Sequence, residues 1–229
     1  MSGVLVLACG SLGQVGDIPQ RSLSYLKTAD LVVFEEDRAA RQLLKAAHVH
    51  REYLRLSEHR QQATLEQVKE ALSQGSTVVY MSDQGMPNLA DPGKEILKIA
   101  YDLGVRVQVI PGPSSITAAL AAYPLPHERF TFAGFLPRTD DGRVNILRGF
   151  RDLKHPIVIL ETPYRLKPLL ESCLRVFPTR SCWKGFLAID ITGPKETYWF
   201  GDFQQLIKRS DELDEKMNFV LIIGRKIES

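Results

Sequence analysis

The chain has 229 residues, 44% of them hydrophobic and 24% charged, with a net charge of +2. That is the balance of an ordinary soluble chain able to bury a core, with room for one large or two modest domains. No apolar run reaches the roughly 18–20 residues a membrane span needs, and the opening MSGVLVLACG lacks the basic leader of a signal peptide. Three widely spaced cysteines (Cys9, Cys173, Cys182) include no CxxC pair, so neither a disulfide framework nor a zinc site is indicated. A cytoplasmic protein is expected.

In chain order, VLVLACG reads as a strand, RSLSYLKTA as a helix and LVVFEE as a second strand. DRAARQLLKAAHV reads as a helix, REYLRL as a short strand, and TLEQVKEALSQG as a helix stopping at Gly75. TVVYMSD, KEILKIAYDLG and VRVQVI continue the alternation, and PGPSSITAALAA opens another helix. Val-, Ile- and Leu-rich runs between amphipathic helices predict βαβ units and a mostly parallel sheet. The proline-rich stretch YPLPHERF, residues 123–130, marks a break. Beyond it RFTFAGFLP, HPIVILETP, CWKGFLAIDIT, ETYWFGDF and MNFVLIIG read as strands, and RLKPLLESCLRVF and DFQQLIKRSDEL as helices. The expected division is residues 1–122, mostly parallel, and 123–229, with a mixed sheet.

Ligands of open α/β sheets bind outside the carboxyl ends of strands. Two loops at such ends stand out: SDQGMPNLADPG after TVVYM, and PGPSS after VRVQVI. Gly85 and Gly112 allow close backbone approach, the prolines stiffen the turns, and Ser114 or Ser115 can cap the following helix. Such loops suit a polar, partly anionic small molecule; they are equally the form of a tight strand-to-helix turn. No GxGxxG, GxxxxGK[ST] or HExxH occurs, so a standard dinucleotide site, a P-loop and a catalytic metal are not indicated. In FEEDR, residues 34–38, Glu35 at a strand end can act as a base and Arg38 can hold an anion. The same acids also suit a helix N-terminus. His59 is a third candidate base. Between Arg138 and Lys184, ten Lys/Arg face five Asp/Glu, either a solvated face or a patch that meets phosphates.

Taken together, these segments resemble the ribosomal RNA small-subunit methyltransferase I family of the tetrapyrrole methylase superfamily. SDQGMPNLADPG is similar to that family's SDAGTPxxSDPG, and PGPSSITAAL to its PGPSAxxxAL. The segment of residues 16–38 is similar to GDIxxRALExLKxADLIxxEDTR, and LETPYRL to YESPHRL. The resemblance implies two α/β domains of the tetrapyrrole methylase type with the donor site in the cleft between them. It implies S-adenosylmethionine (SAM) as methyl donor, a homodimer, and a cytidine ribose 2′-hydroxyl of small-subunit rRNA as acceptor. The donor would lie against Asp83, Gly85, Met86, Leu89, Gly112, Ser114, Ser115 and Glu161, and the acceptor would meet Glu35, Arg38 and His59.

The chain departs from the family where its first loop reads ACGSLGQVGDI for PTPIGNLxDI. EEDRA stands for EDTRH, with Ala39 in the place of a histidine, and Gln84 and Met86 stand in the SDAGTP motif. The sequence ends at Ser229, without the C-terminal helical segment the family usually adds. A tetrapyrrole or other small molecule is therefore the alternative acceptor, and a SAM-binding module with little catalysis a further one.

Overall fold

Runs of branched and aromatic residues form two separate sheets in the computed structural model, which describes residues 3–56, 61–89, 93–213 and 217–226. The chain divides into two units, Met1–Ser114 and Ser115–Ser229.

In the first unit the order is β1 (Val4–Ala8), α1 (Gln20–Thr28), β2 (Leu31–Phe34), α2 (Asp37–Ala46), β3 (Leu54–Arg55), α3 (Gln61–Ser73), β4 (Thr77–Met81), α4 (Lys94–Asp102) and β5 (Arg106–Val109). The sheet order is β3-β2-β4-β1-β5, and every pairing is parallel. Its central strands are apolar on both faces because helices cover both. Val6, Ala8, Val32, Phe34, Val79 and Met81 pack with Leu26, Leu43 and Leu44 of α1 and α2. The alternate residues Leu5, Leu7, Val33, Val78 and Tyr80 pack with Val68, Leu72, Ile96 and Ala100 of α3 and α4. The connection from β1 runs past β4 to β2, while that from β4 runs past β1 to β5. This crossing is a topological switch point, and the carboxyl ends of β1, β2, β4 and β5 lie along the same edge.

The second unit comprises α5 (Ser115–Ala122), β6 (Thr131–Phe135), α6 (Asp140–Gly149), β7 (Ile157–Glu161), α7 (Leu166–Val176), β8 (Trp183–Ile189), β9 (Thr197–Gly201), α8 (Phe203–Ser210) and β10 (Phe219–Arg225). The sheet order is β6-β7-β10-β8-β9, with β6 and β7 parallel and the remaining pairs antiparallel. Leu147, Leu169, Leu170 and Val176 from the helices meet Ile157, Ile159, Leu187, Leu221 and Ile223 of the sheet. Helix α8 starts on a capping box: Asp202 Oδ1 accepts from the Gln205 N–H at 2.9 Å, and Gln205 Oε1 from the Asp202 N–H at 3.1 Å.

Two features differ from the sequence reading. Helix α5, of 8 residues, groups with the second unit because it packs on β10. The division therefore falls before this helix, not at the prolines that follow it. Helix α6 was not anticipated, although Thr139 precedes it and Asp140 and Asp141 occupy its first turn. Gly142 inside that turn breaks the pattern that would have announced it.

Candidate functional site

Three loops converge at the carboxyl ends of β1, β4 and β5. The Gly10 N–H donates to the Gly85 carbonyl at 3.1 Å, joining the first loop to the second. A Cβ on Gly10 would stand 2.5 Å from the Ser82 oxygen and 2.6 Å from that of Asp83. One on Gly112 would stand 2.0 Å from Cys9 Sγ. Both contacts are too close for a side chain at either glycine: Gly10 lies directly on the Ser82–Asp83 backbone, and Gly112 on the Cys9 side chain. Gly85 itself has φ +70, and a Cβ there would lie 3.1 Å from both Leu12 Cδ2 and the Pro113 oxygen. The Cys9 thiol is buried, which pushes its pKa up and leaves it a packing group.

The end of β2 is fastened to the same cluster. The phenol of Tyr80, fully buried on β4, donates to Glu35 Oε1 at 2.6 Å. The next backbone N–H, of Glu36, donates to Asp83 Oδ1 at 3.2 Å. Asp37 accepts from Tyr53 at 3.1 Å and from Arg55 at 2.8 Å. Desolvation alone raises its carboxyl pKa, but these bonds outweigh it and hold the group below the usual carboxylate range. Arg38 is exposed in the first turn of α2.

Along the β4 loop Asp83 and Met86 are half-buried, Gln84 is exposed and Leu89 is 44% exposed. Asn88 adopts φ 67 with both side-chain amide atoms buried, packed where Gly93 passes the Tyr80 ring.

Of the candidate residues, the structure thus brings together Glu35, Asp83, Gly85, Gly112 and Ser114 in the first unit, with Met86 and Leu89 on the same loop. Ser115 and Glu161 belong to the second unit, and His59 lies outside the described residues. Glu161 ends β7 with its carboxylate buried. Its Oε1 takes the Thr162 N–H at 2.6 Å and Arg165 Nη2 at 2.5 Å. Its Oε2 and Arg165 Nη1 are buried without a hydrogen-bond partner among the described residues. Sequence reasoning missed Gly10, Cys9 and Tyr80. The glycine loop CGSLGQVG was the available signal for the first two, whereas nothing local marks one core tyrosine as the carboxylate's partner.

A wholly parallel sheet with close-packed glycine loops at its switch point, followed by a mixed α/β unit, defines an α/β protein of the class whose ligands bind at that edge. The chain belongs to the Tetrapyrrole (Corrin/Porphyrin) Methylases, whose family model matches residues 5–206. It is a SAM-dependent methyltransferase, and the close-packed glycine loops, with no room for a Cβ at Gly10 or Gly112 and a left-handed backbone at Gly85, fit a donor that approaches the main chain. A ribosomal RNA small subunit methyltransferase I of Leptospira borgpetersenii is 32% identical over 229 residues, covering 100% of this chain and 90% of that one. The Thermotoga maritima protein of the same name is 29% identical, covering 98% of this chain and 99% of that one. A Thermus thermophilus uroporphyrin-III C-methyl transferase, complexed with S-adenyl homocysteine, superposes with TM-score 0.64 at 19% identity, covering 97% of each chain. That likeness shows the shared fold.

Proposed function

We propose that this methyltransferase acts on a cytidine ribose 2′-hydroxyl of small-subunit rRNA. The observation that carries the reading is full-length similarity to the ribosomal RNA small subunit methyltransferase I of Leptospira borgpetersenii, 32% over 229 residues. It acts in the cytoplasm as a homodimer, the arrangement implied by the resemblance. When bound, SAM supplies an electrophilic methyl group on a sulfonium. Asp83, Gly85, Met86, Leu89, Gly112 and Ser114 of the first unit are the residues that hold it. Gly10 and Gly112 let the loops after β1, β4 and β5 pack closely together, and that packing fixes the donor's orientation. Glu35, aimed by the Tyr80 phenol, would take the proton of the acceptor hydroxyl as that hydroxyl's oxygen bonds the methyl carbon and the sulfur–methyl bond breaks, leaving the neutral thioether. Arg38, exposed at the start of α2, is the cation that suits an acceptor phosphate, and His59, outside the described residues, stays a candidate base from the sequence alone.

The test is transfer of labelled methyl to small subunits from a strain deleted for the protein. Incorporation at one cytidine ribose is the expected result, and its absence rejects the reading. A second reading rests on Gln84 and Met86, which replace Ala and Thr of the family motif on the β4 loop. They favour a tetrapyrrole or other small acceptor, or binding with little turnover. Label recovered in a tetrapyrrole fraction would favour the first of these. SAM binding with no transfer at all would favour the second.

A further inference from the structure

The basic stretch between Arg138 and Lys184 does not form a surface as a unit. Arg143 is buried against Asp140 and Ser172, and Arg165 holds Glu161. Lys167 pairs with Asp211 at 2.6 Å, Arg175 with Asp140, and Arg151 donates to the Val176 carbonyl. Half of the stretch's cations are thus consumed inside the second unit.

Topology builds a different patch. Thr131, Ile157, Ile223 and Gly185 are aligned in register across β6, β7, β10 and β8. Strands β6, β7 and β8 begin beside this row and β10 ends beside it. The segments just outside it carry Arg129, Lys154, Arg180, Lys184, Arg225 and Lys226. Four sequence-distant segments therefore place six cations along one sheet edge, about 14 Å wide at roughly 4.8 Å per strand step. All but Lys184 are exposed, and Lys184 is half-buried. None forms an ion pair with a described residue. The flanking acids are Glu128, Asp152 and Asp202, and Asp202 is occupied as the cap of α8.

The edge is also well built. Thr131 donates its N–H to the Pro156 carbonyl at 2.9 Å, and Lys226 its N–H to that of Cys182 at 2.8 Å. His155 Nε2 and Thr131 Oγ1 are 2.8 Å apart. One exposed ring lies among the charges, Phe130 at 44%, and the Arg225 guanidinium lies 5.2 Å from the ring of the buried Trp183. Cations spaced along a rigid edge, with the exposed Phe130 ring beside them, fit the phosphate backbone of a single strand and one stacked base.

We propose that this edge of the second sheet binds single-stranded RNA through its phosphates. The proposal rests on the rRNA reading for its choice of polyanion, and names a surface that acts separately from methyl transfer. The probe is a fluorescent 20-nucleotide single-stranded RNA of mixed sequence, titrated by anisotropy between 50 and 300 mM KCl. The triple variant Lys154→Gln, Arg180→Gln, Lys226→Gln should bind at least tenfold more weakly at low salt. Its slope of log K against log salt should be shallower by about 2, from about 0.7 per lost contact. A control with Lys45→Gln, Lys69→Gln and Lys98→Gln, exposed on helices of the first unit, should keep the wild-type slope. Equal slopes for wild type and edge variant would overturn the proposal. So would tighter binding of the edge to phosphatidylserine vesicles than to the RNA. Labelled-methyl transfer to small subunits from the deletion strain tests the rRNA reading independently, since an edge that binds RNA without such transfer separates the two, and SAM affinity, by calorimetry, should be the same in all three proteins.

Discussion

The phenol of Tyr80 and the carboxylate of Glu35 are joined at 2.6 Å, from the floor of the first sheet to its functional edge. Tyr80 pairs with Val33 in the β2–β4 register, so its ring rises beside the strand that ends at Glu35. With the Glu36 N–H on Asp83, the β2 and β4 loops are tied at two points. A carboxylate held this way keeps one oxygen engaged and one orientation, as a base positioned before its substrate arrives requires.

Tyr80→Phe removes that bond while keeping the ring against Gly93. Stability should fall by about 1 kcal/mol, the net worth of one hydrogen bond, read by urea denaturation. If Glu35 takes the acceptor proton, kcat should drop tenfold or more with SAM affinity within threefold of wild type. A large loss of SAM affinity with kcat intact would instead make the pair part of the donor floor.

Gly112→Ala puts a methyl group 2.0 Å from Cys9 Sγ. The loop must shift, so SAM binding measured by calorimetry should weaken at least tenfold. Adding Cys9→Ala removes the sulfur and leaves the residue 9 Cβ at 3.0 Å, a tight but smaller clash. The double variant should recover part of the lost affinity, a coupling expected of residues in contact. Two independent, additive losses would show that the Cys9–Gly112 contact does not set the donor loop.

The parallel first sheet was legible because its strands are short apolar runs separated by amphipathic helices, and the loops because Gly, Pro and Ser mark strand ends. Gly85, Gly112 and Ser114 could be picked out on those grounds, and Asp83 by the family motif in which it stands. Gly10 could not, because its role comes from where Ser82 and Asp83 pass it, a contact between segments more than seventy residues apart. Tyr80 was hidden for the opposite reason: TVVYM reads as uniform core, and only the neighbouring strand reveals that one ring carries a polar task. In the second unit Glu161 stood out by its motif, but its pairing with Arg165 is a helix-entry geometry that spacing alone does not establish.

Removing Arg165 should be costly. The Glu161 carboxylate is buried, with Arg165 its charged partner at 2.5 Å. Arg165→Met leaves that charge with only the Thr162 N–H and should destabilise the second unit by about 3 kcal/mol. Adding Glu161→Gln removes the stranded charge and should restore more than half of the loss, measured by chemical denaturation. Failure of the second substitution to restore stability would mean that Arg165 acts through packing.

Tyr123 makes the alkaline limb of stability testable. Its ring packs edge-on against Phe186 at 5.6 Å, and its hydroxyl is buried without a hydrogen-bond partner among the described residues. Burial pushes the phenol's pKa up to about 12, against about 10 in an unfolded chain. Between those values the unfolded chain has lost a proton that the folded one keeps, so stability falls as pH rises. Its contribution is fully present below about pH 10 and lost through 12. Tyr123→Phe should leave or raise stability at pH 7, because an unpaired buried hydroxyl costs about 1–3 kcal/mol. It should also flatten the decline above pH 10. Tyr198, raised to about 12 chiefly by its hydrogen bond to Glu196, titrates in the same window, so the measurement is made in a Tyr198→Phe background. An alkaline limb unchanged by Tyr123→Phe there would place the titrating group elsewhere.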